Sequence, residues 1–210
     1  GFMRELVLPA ITTNLDGLDQ TMNLFSHALA HREIYLTGEI SDMAACSVTT
    51  QLRDLNASSG TEEITLHIHS PGGAVSAGLA IYDVMRYELD CEVVTIAEGV
   101  AASMGALLLA AGTKGRRYAA PGSEILVHQP LGGVQGQVSD IALVAEHACF
   151  VKKKLAGILA DATGRSLDTI LQDTERDNWL SAQQALAYGL VDHIGFPGRE
   201  LEESRKEDER

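Results

Sequence analysis

The feature that most constrains this chain is an alternation between short runs of β-forming residues and longer stretches with helical spacing. Residues 34–36, 64–68 and 93–97 are predicted strands, and apolar patterns over 42–55 and 75–87 predict the helices between them. Strands that alternate with helices of this length pair in parallel, because a parallel pair needs a long crossover connection. The pattern therefore predicts an α/β fold.

The second half of the chain continues this pattern. Helices are predicted over 104–111 and 139–163, and short strands over 117–119 and 124–127. A further helix is predicted near the N-terminus, over 22–30.

Two segments stand apart from the alternation. Residues 12–20 are polar and contain a glycine, and residues 199–210 carry six acidic and four basic side chains. Neither segment offers enough apolar surface to offset the entropy of ordering. We expect the first to be mobile and the second to be disordered.

Composition and charge narrow the possible functions. The 29 acidic and 16 basic residues give a net charge of −13, which repels phosphate backbones and anionic membranes. Cys46, Cys91 and Cys149 form neither a disulfide framework nor a CxxC metal site, so we expect reduced thiols in a cytoplasmic protein. No apolar run of 18 residues and no secretory signal pattern is visible. The sequence therefore predicts no nucleic-acid or membrane partner.

A candidate nucleophile is Ser103, which lies between a predicted strand and the apolar helix 104–111. At the first turn of a helix, unpaired N–H groups and the positive end of the helix dipole would stabilise an oxyanion. An ordinary N-cap serine would occupy the same position. The segment also departs from the G-x-S-x-G pattern, because Ala101 replaces the first glycine.

Three further segments could complete a site around a serine nucleophile. His128 follows the strand 124–127, where it could act as a general base, and Asp177 could orient that imidazole from a partly buried position. The Ser70–Gly73 turn could expose N–H groups as oxyanion donors. Each segment also has a structural explanation: a surface histidine, a carboxylate that caps a helix or pairs with Arg176, and an ordinary turn.

Taken together and in order, these segments resemble the proteolytic subunits of the caseinolytic (Clp) protease family. The matching stretches are Arg32–Gly38, Ser70–Gly73, Ala77–Asp83, Ala101–Ala106, His128–Gly133 and Asp173–Asp177. The resemblance implies a ClpP/crotonase-like fold, a spiral of ββα units in a single domain with a protruding strand-helix handle. It also implies a serine endopeptidase that hydrolyses unfolded polypeptides to short peptides through an acyl-enzyme intermediate.

The resemblance assigns roles to individual positions. Ser103 would be the nucleophile, His128 the general base and Asp177 the residue that orients the base. The backbone N–H groups of Gly73 and Met104 would form the oxyanion hole.

In relatives, the stretch after the catalytic histidine, here 129–138, and the start of the long helix form a handle that interlocks two stacked seven-membered rings. The glycines that would leave room for a bound peptide are Gly132, Gly133 and Gly136. Glu175 and Arg176 match positions that form ion pairs between the rings.

The resemblance also implies the domain limits and the partner. The limits are an axial segment with the first helix (1–31), a peptidase domain that includes the handle 129–163 (32–194), and a charged tail (195–210). The family's partner is a hexameric ATPase that unfolds substrates, and ATP dependence would come from it because this chain has no P-loop. No cofactor is implied.

Two other functions remain open at this point. One is a non-catalytic ring subunit paired with an active paralogue, and the other is a crotonase-type acyl-CoA enzyme, which needs no Ser-His-Asp set. The pairs His27/His31 and His67/His69 have the spacing of metal ligands, but each pair offers only two ligands and therefore predicts no metal site.

Overall fold

The fold is built on one mixed β-sheet with helices packed around it. The computed structural model describes residues 9–130 and 135–201. The strands are β1 (Ala10–Leu15), β2 (Leu18–Asn23), β3 (Glu33–Thr37), β4 (Ile64–Ser70), β5 (Val93–Ala102), β6 (Arg117–Ala119), β7 (Glu124–Val127), β8 (Asn178–Ser181), β9 (His193–Phe196) and β10 (Arg199–Glu200). The helices are α1 (Leu24–Ala30), α2 (Asp42–Ser58), α3 (Val75–Asp83), α4 (Met104–Ala110), α5 (Val138–Thr163), α6 (Leu167–Asp173) and α7 (Ala182–Tyr188), and a π-helical turn (Val84–Glu88) extends α3.

The sheet confirms the parallel arrangement predicted from the alternation. Its strand order is β10-β9-β6-β5-β4-β3, and every pair from β9 to β3 is parallel. The last residues of β5 pair with β7 instead of β6, and β8 joins this branch as the antiparallel partner of β7. The main sheet is therefore of the α/β class, with antiparallel strands only at β8 and β10.

The core is formed between the sheet and the central helix α4. Every residue of α4, from Met104 to Ala110, is buried. In β4, Ile64, Leu66 and Ile68 are buried and alternate with more exposed residues, as the two-residue period of a strand requires. Because a single residue, Ser103, separates the end of β5 from the start of α4, the junction between them lies at the edge of this core.

A bulge in β5 determines where that junction lies. The β4–β5 register passes from the pair Ile68 and Ala97 to the pair Ser70 and Ala101, so three residues, 98–100, face one. The middle residue of the three is Gly99, which has a φ of +72°, and a Cβ there would lie 2.5 Å from a ring nitrogen of the facing histidine. The bulge brings the end of β5 into register with β7.

The structure differs from the sequence prediction near both ends of the described chain. Residues 12–20, which we expected to be mobile, form most of the antiparallel hairpin β1–β2. Helix α1 begins two residues later than predicted because β2 continues to Asn23, whose side chain caps the helix. Arg199 and Glu200 form β10, although they belong to the segment expected to be disordered; residues 1–8 and 202–210 lie outside the described residues.

None of the helices within the described ranges has both the length and the apolar character needed to cross a lipid bilayer.

Candidate active site

Ser103 occupies the junction between β5 and α4 in a strained backbone conformation. Its φ of 56° and ψ of −120° are unusual for a residue with a side chain, and such strain concentrates at functional sites. The Ser103 N–H donates to the Leu126 carbonyl of β7 at 2.9 Å, which fixes the junction against the sheet. The hydroxyl makes no capping hydrogen bond to the helix. The N-cap explanation of this serine is therefore wrong, and its side chain remains available for chemistry.

The Ser70–Gly73 turn packs directly against Ser103. A Cβ at Gly72, where φ is +98°, would lie 2.7 Å from the Ser103 Cβ and 3.3 Å from its Oγ. Ser70 is fully buried; its hydroxyl donates to the Gly38 carbonyl at 2.6 Å and accepts from the Gly72 N–H at 3.1 Å. The turn is thus held firmly beside the serine, which an ordinary surface turn would not require.

The N–H groups of Gly73 and Met104 have no acceptor among the described residues. Gly73 lies in a short parallel bridge with Ile40, but the two hydrogen bonds of that bridge use the Gly72 carbonyl and the Ala74 N–H. Met104 is the first residue of α4, and the first N–H groups of a helix lack an intrahelical partner. Their role as oxyanion donors stays a prediction.

His128 follows β7 directly and lines the same cavity as Ser103. The other lining residues are Val75, Met104, Leu107, Val127, Pro130, Leu155 and Leu159. The Nδ1 atom of His128 is hydrogen-bonded to the Gln129 carbonyl oxygen, which can only accept. This hydrogen bond needs a proton on Nδ1, and in the neutral ring that leaves the lone pair on Nε2, the tautomer that a general base acting through Nε2 requires.

Asp177 lies across from His128 without contacting it. The last pair of the β7–β8 register is Val127 and Asn178. If the register continued by one more pair, Asp177 would lie opposite His128. The Gln129 N–H, however, donates to the carbonyl of Thr174. Three residues, 175–177, therefore lie opposite His128 as a bulge. Asp177 is exposed in this bulge, and among the described residues nothing donates a hydrogen bond to its carboxylate. The expected partial burial is wrong for the single chain.

The neighbouring positions predicted to contact a second ring are exposed. Glu175 forms an ion pair with Lys152 of α5 at 2.8 Å, and this pair holds the pKa of the Glu175 carboxyl below its ordinary value. Arg176 forms no ion pair with the residues that the structure describes. Their inter-ring role stays a prediction.

Of the handle glycines, only Gly136 is described. Its φ is +148°, and a Cβ at that position would meet nothing within 4 Å. Gly132 and Gly133 lie outside the described residues. Helix α5, predicted over 139–163, begins one residue earlier at Val138.

The histidine pairs are occupied by local contacts. His31 bonds to the His27 carbonyl, while His67 contacts the Glu98 carboxylate at 2.9 Å and His69 contacts the Glu98 carbonyl at 2.7 Å. Within 9–130 and 135–201, no group of three or more His, Cys, Asp or Glu side chains is arranged to hold a metal ion.

Sequence reasoning missed Gln129, which contacts both His128 and the turn before Asp177. Its N–H donates to the Thr174 carbonyl at 2.9 Å, and its side-chain Nε2 donates to the Glu175 carbonyl at 3.0 Å. These partners are more than 40 residues away in the chain. Only its position directly after the candidate base could have drawn attention to it.

Comparisons with known proteins identify the family of this chain. A family model described as Clp protease matches residues 16–197. The chain is also 45% identical over 188 residues to the ATP-dependent Clp protease proteolytic subunit of Ligilactobacillus salivarius strain UCC118, an alignment that covers 90% of this chain and 95% of the relative.

Proposed function

Because this chain belongs to the Clp protease family, and is therefore a serine peptidase, we propose that Ser103 is its nucleophile, His128 its general base and Asp177 the residue that orients the base. The observation that carries the proposal is that Ser103 and His128 line one cavity, with Nδ1 of His128 hydrogen-bonded to a carbonyl oxygen. Family membership also removes the basis for an acyl-CoA enzyme.

The reaction follows from these roles. The Ser103 Oγ attacks the carbonyl carbon of the scissile peptide bond while Nε2 of His128 takes the hydroxyl proton. The tetrahedral intermediate collapses, the C–N bond breaks, and the amine leaves with the proton from the imidazolium. Water then attacks the acyl-enzyme by the same path, which releases the second peptide and regenerates Ser103.

The negative charge of each tetrahedral intermediate would be stabilised by backbone N–H groups. Gly73 and Met104 are suited to this task because their N–H groups have no acceptor among the described residues and both lie next to Ser103 in the fold. The strained backbone of Ser103 supports the same role, since such strain is retained where function needs it.

A matched pair of serine variants tests the proposal. Ser103→Ala should lower hydrolysis of a fluorogenic peptide by a factor on the order of 10⁶ and abolish labelling by a fluorophosphonate. Ser47→Ala is the control, because Ser47 is an exposed serine of α2 whose hydroxyl, among the described residues, is hydrogen-bonded only to Gln51 of the same helix. Labelling or hydrolysis at the wild-type rate in assembled Ser103→Ala would exclude this serine as the nucleophile.

We also propose that the chain assembles as two stacked seven-membered rings through the handle. Support comes from apolar side chains on α5 that the single chain leaves exposed: Val138, Leu143 and Phe150 are 83%, 65% and 65% exposed. Native mass spectrometry should show a fourteen-subunit particle. Leu143→Glu should reduce it to single rings or monomers, whereas Leu18→Glu, a change of an exposed leucine in the β1–β2 hairpin, should leave the interface between rings intact.

The partner would be a hexameric Clp ATPase that unfolds polypeptides and feeds them into the enclosed chamber. The support is the ATP dependence in the name of the 45% identical relative. A fluorescent unfolded protein should be degraded with ATP and such an ATPase, and without them only short peptides should be cut rapidly.

Location and domain limits complete the proposal. The three cysteines, Cys46, Cys91 and Cys149, are all free thiols, which favours the reducing cytoplasm. Residues 32–194 would form the peptidase domain, between an axial segment and a charged tail.

A further inference from the structure

Gln129 connects the two segments that carry the candidate base and its orienting residue. Its N–H donates to the Thr174 carbonyl at 2.9 Å and its Nε2 donates to the Glu175 carbonyl at 3.0 Å. Its own carbonyl oxygen accepts from Nδ1 of His128. Three of the four polar groups of this residue therefore make hydrogen bonds beside the candidate site.

These contacts close the bulge that faces His128. The β7–β8 ladder ends at the pair Val127 and Asn178, and the Gln129–Thr174 hydrogen bond resumes the pairing two positions out of register. Residues 175–177 must then span the distance between Thr174 and Asn178, which are both paired with the β7 side. The width of that gap sets how far Asp177 lies from His128.

Thr174, the residue just before the bulge, is itself held in place by the rest of the fold. Thr174 is 4% exposed, and its hydroxyl donates to the Ile170 carbonyl of α6 at 2.7 Å. The side chain of Gln129 adds the second bond, which reaches the first residue of the bulge. The only other side-chain tie to that residue among the described residues is the ion pair between Lys152 and Glu175.

We propose that Gln129 is a positioning residue of this peptidase: it closes the 175–177 bulge and thereby fixes where Asp177 lies opposite His128. The inference rests on the proposed roles of these two residues. It assigns to Gln129 a function that depends on a donor at the end of its side chain, because the partner is a carbonyl oxygen that can only accept.

The test uses four variants and a double-mutant cycle. Gln129→Ala removes the donor, Gln129→Lys keeps a donor on a stem of similar length, and Gln129→Glu keeps the shape but presents an acceptor to the Glu175 carbonyl. Gln51→Ala is the matched control, because Gln51 also donates to a main-chain carbonyl, at 3.2 Å, but on the remote helix α2. Hydrolysis of a short peptide gives kcat and KM, native mass spectrometry gives the assembled fraction, and rates are compared per assembled particle.

We expect Gln129→Ala to lower kcat about 5-fold with little change in KM, the effect of one hydrogen bond on the population of the aligned state. Gln129→Lys should recover at least half of the wild-type kcat, and Gln129→Glu should be no better than Gln129→Ala. If Gln129→Ala does not assemble, the comparison of the Lys and Glu variants carries the test. Equal kcat for those two variants would overturn the proposal.

The double-mutant cycle asks whether Gln129 acts through Asp177. In an Asp177→Asn background, Gln129→Ala should produce no further loss in the rate of fluorophosphonate labelling, whereas a general weakening of the structure would lower the rate by the same factor in both backgrounds. Such additivity would refute the inference and leave the peptidase assignment intact. Failure of the wild-type chain to be labelled at all would instead refute the proposed function.

Discussion

Replacing Gly72 with alanine should remove most of the peptidase activity while the chain still folds. The new Cβ would lie 2.7 Å from the Ser103 Cβ, about 0.7 Å short of the 3.4 Å at which ordinary contact begins, and 2.8 Å from the Ala102 carbonyl oxygen. Ala102 is buried in β5, so the displacement must fall on Ser103 or on the turn that presents the Gly73 N–H. A misplacement of about 1 Å in a reacting group can lower a rate roughly 100-fold, and we expect kcat to fall by about this factor.

Gly164→Ala is the matched control for this experiment. Gly164 has a φ of +74°, but a Cβ there would meet nothing within 4 Å, so the variant reproduces backbone strain without the steric contact. Gly164→Ala should lose about 1–2 kcal/mol of stability in thermal unfolding, and Gly72→Ala should lose at least as much because of its added steric contact. Only Gly72→Ala should lose kcat. A wild-type kcat in assembled Gly72→Ala would refute the conclusion that the Ser70–Gly73 turn and Ser103 form one site.

Three further predictions follow from packing and charge. Burial opposes ionisation of Asp192, but the hydrogen bonds and charge of Arg117 outweigh burial and hold the pKa of the carboxyl below its ordinary value of 3.8. The ionised carboxylate therefore stabilises the folded state fully above pH 3.8, and this contribution is lost as the pH falls through the lowered pKa. Urea unfolding at pH 7 should show a loss of about 3 kcal/mol for Arg117→Ala, and titration towards about pH 2 should show a smaller acid-side loss for Asp192→Asn than for wild type. Gly157→Ala should raise stability by about 0.5–1 kcal/mol in thermal unfolding, because Gly157 lies inside α5 with open space around its Cβ position. A peptide library should be cut faster after Leu or Met than after Asp or Lys, since the apolar cavity beside Ser103 would bury a charge without a partner; equal rates would show that this cavity does not receive the substrate side chain.

Regular segments of this fold could be predicted from the sequence because their local patterns match their burial. Ile64, Leu66 and Ile68 alternate with polar residues and form β4, and the wholly apolar α4 is buried on all sides. The β1–β2 hairpin gave no such signal. Its paired residues are largely polar and are joined across the strands by hydrogen bonds such as that between Thr12 and Thr21 at 2.9 Å, so no apolar period marks it.

The residues of the candidate site could be proposed from the sequence, but the geometry that the structure gives them could not be predicted. Ser103, His128 and Asp177 were identified as residue types suited to acyl transfer, and family resemblance supplied their roles. The exposure of Asp177 depends on a hydrogen bond between Gln129 and Thr174, 45 positions along the chain. No local pattern encodes such a pairing, because it depends on the register that two strands adopt only after the chain has folded.

Two bulges therefore determine the geometry of the candidate site, and in each bulge three residues face a single histidine. Residues 98–100 face His69 in the β4–β5 pair, and 175–177 face His128 beyond the β7–β8 pair. Two extra residues of extended chain span about 6.6 Å, several times the misplacement that a catalytic group tolerates. Without the bulge at 98–100, the end of β5 would be displaced by about this distance along β7. Ser103 would then lose its hydrogen bond to the Leu126 carbonyl. Gly99 makes that bulge possible, because a Cβ at this position would lie 2.5 Å from the His69 ring. A glycine outside the cavity is therefore as necessary to the position of Ser103 as the residues that line the cavity.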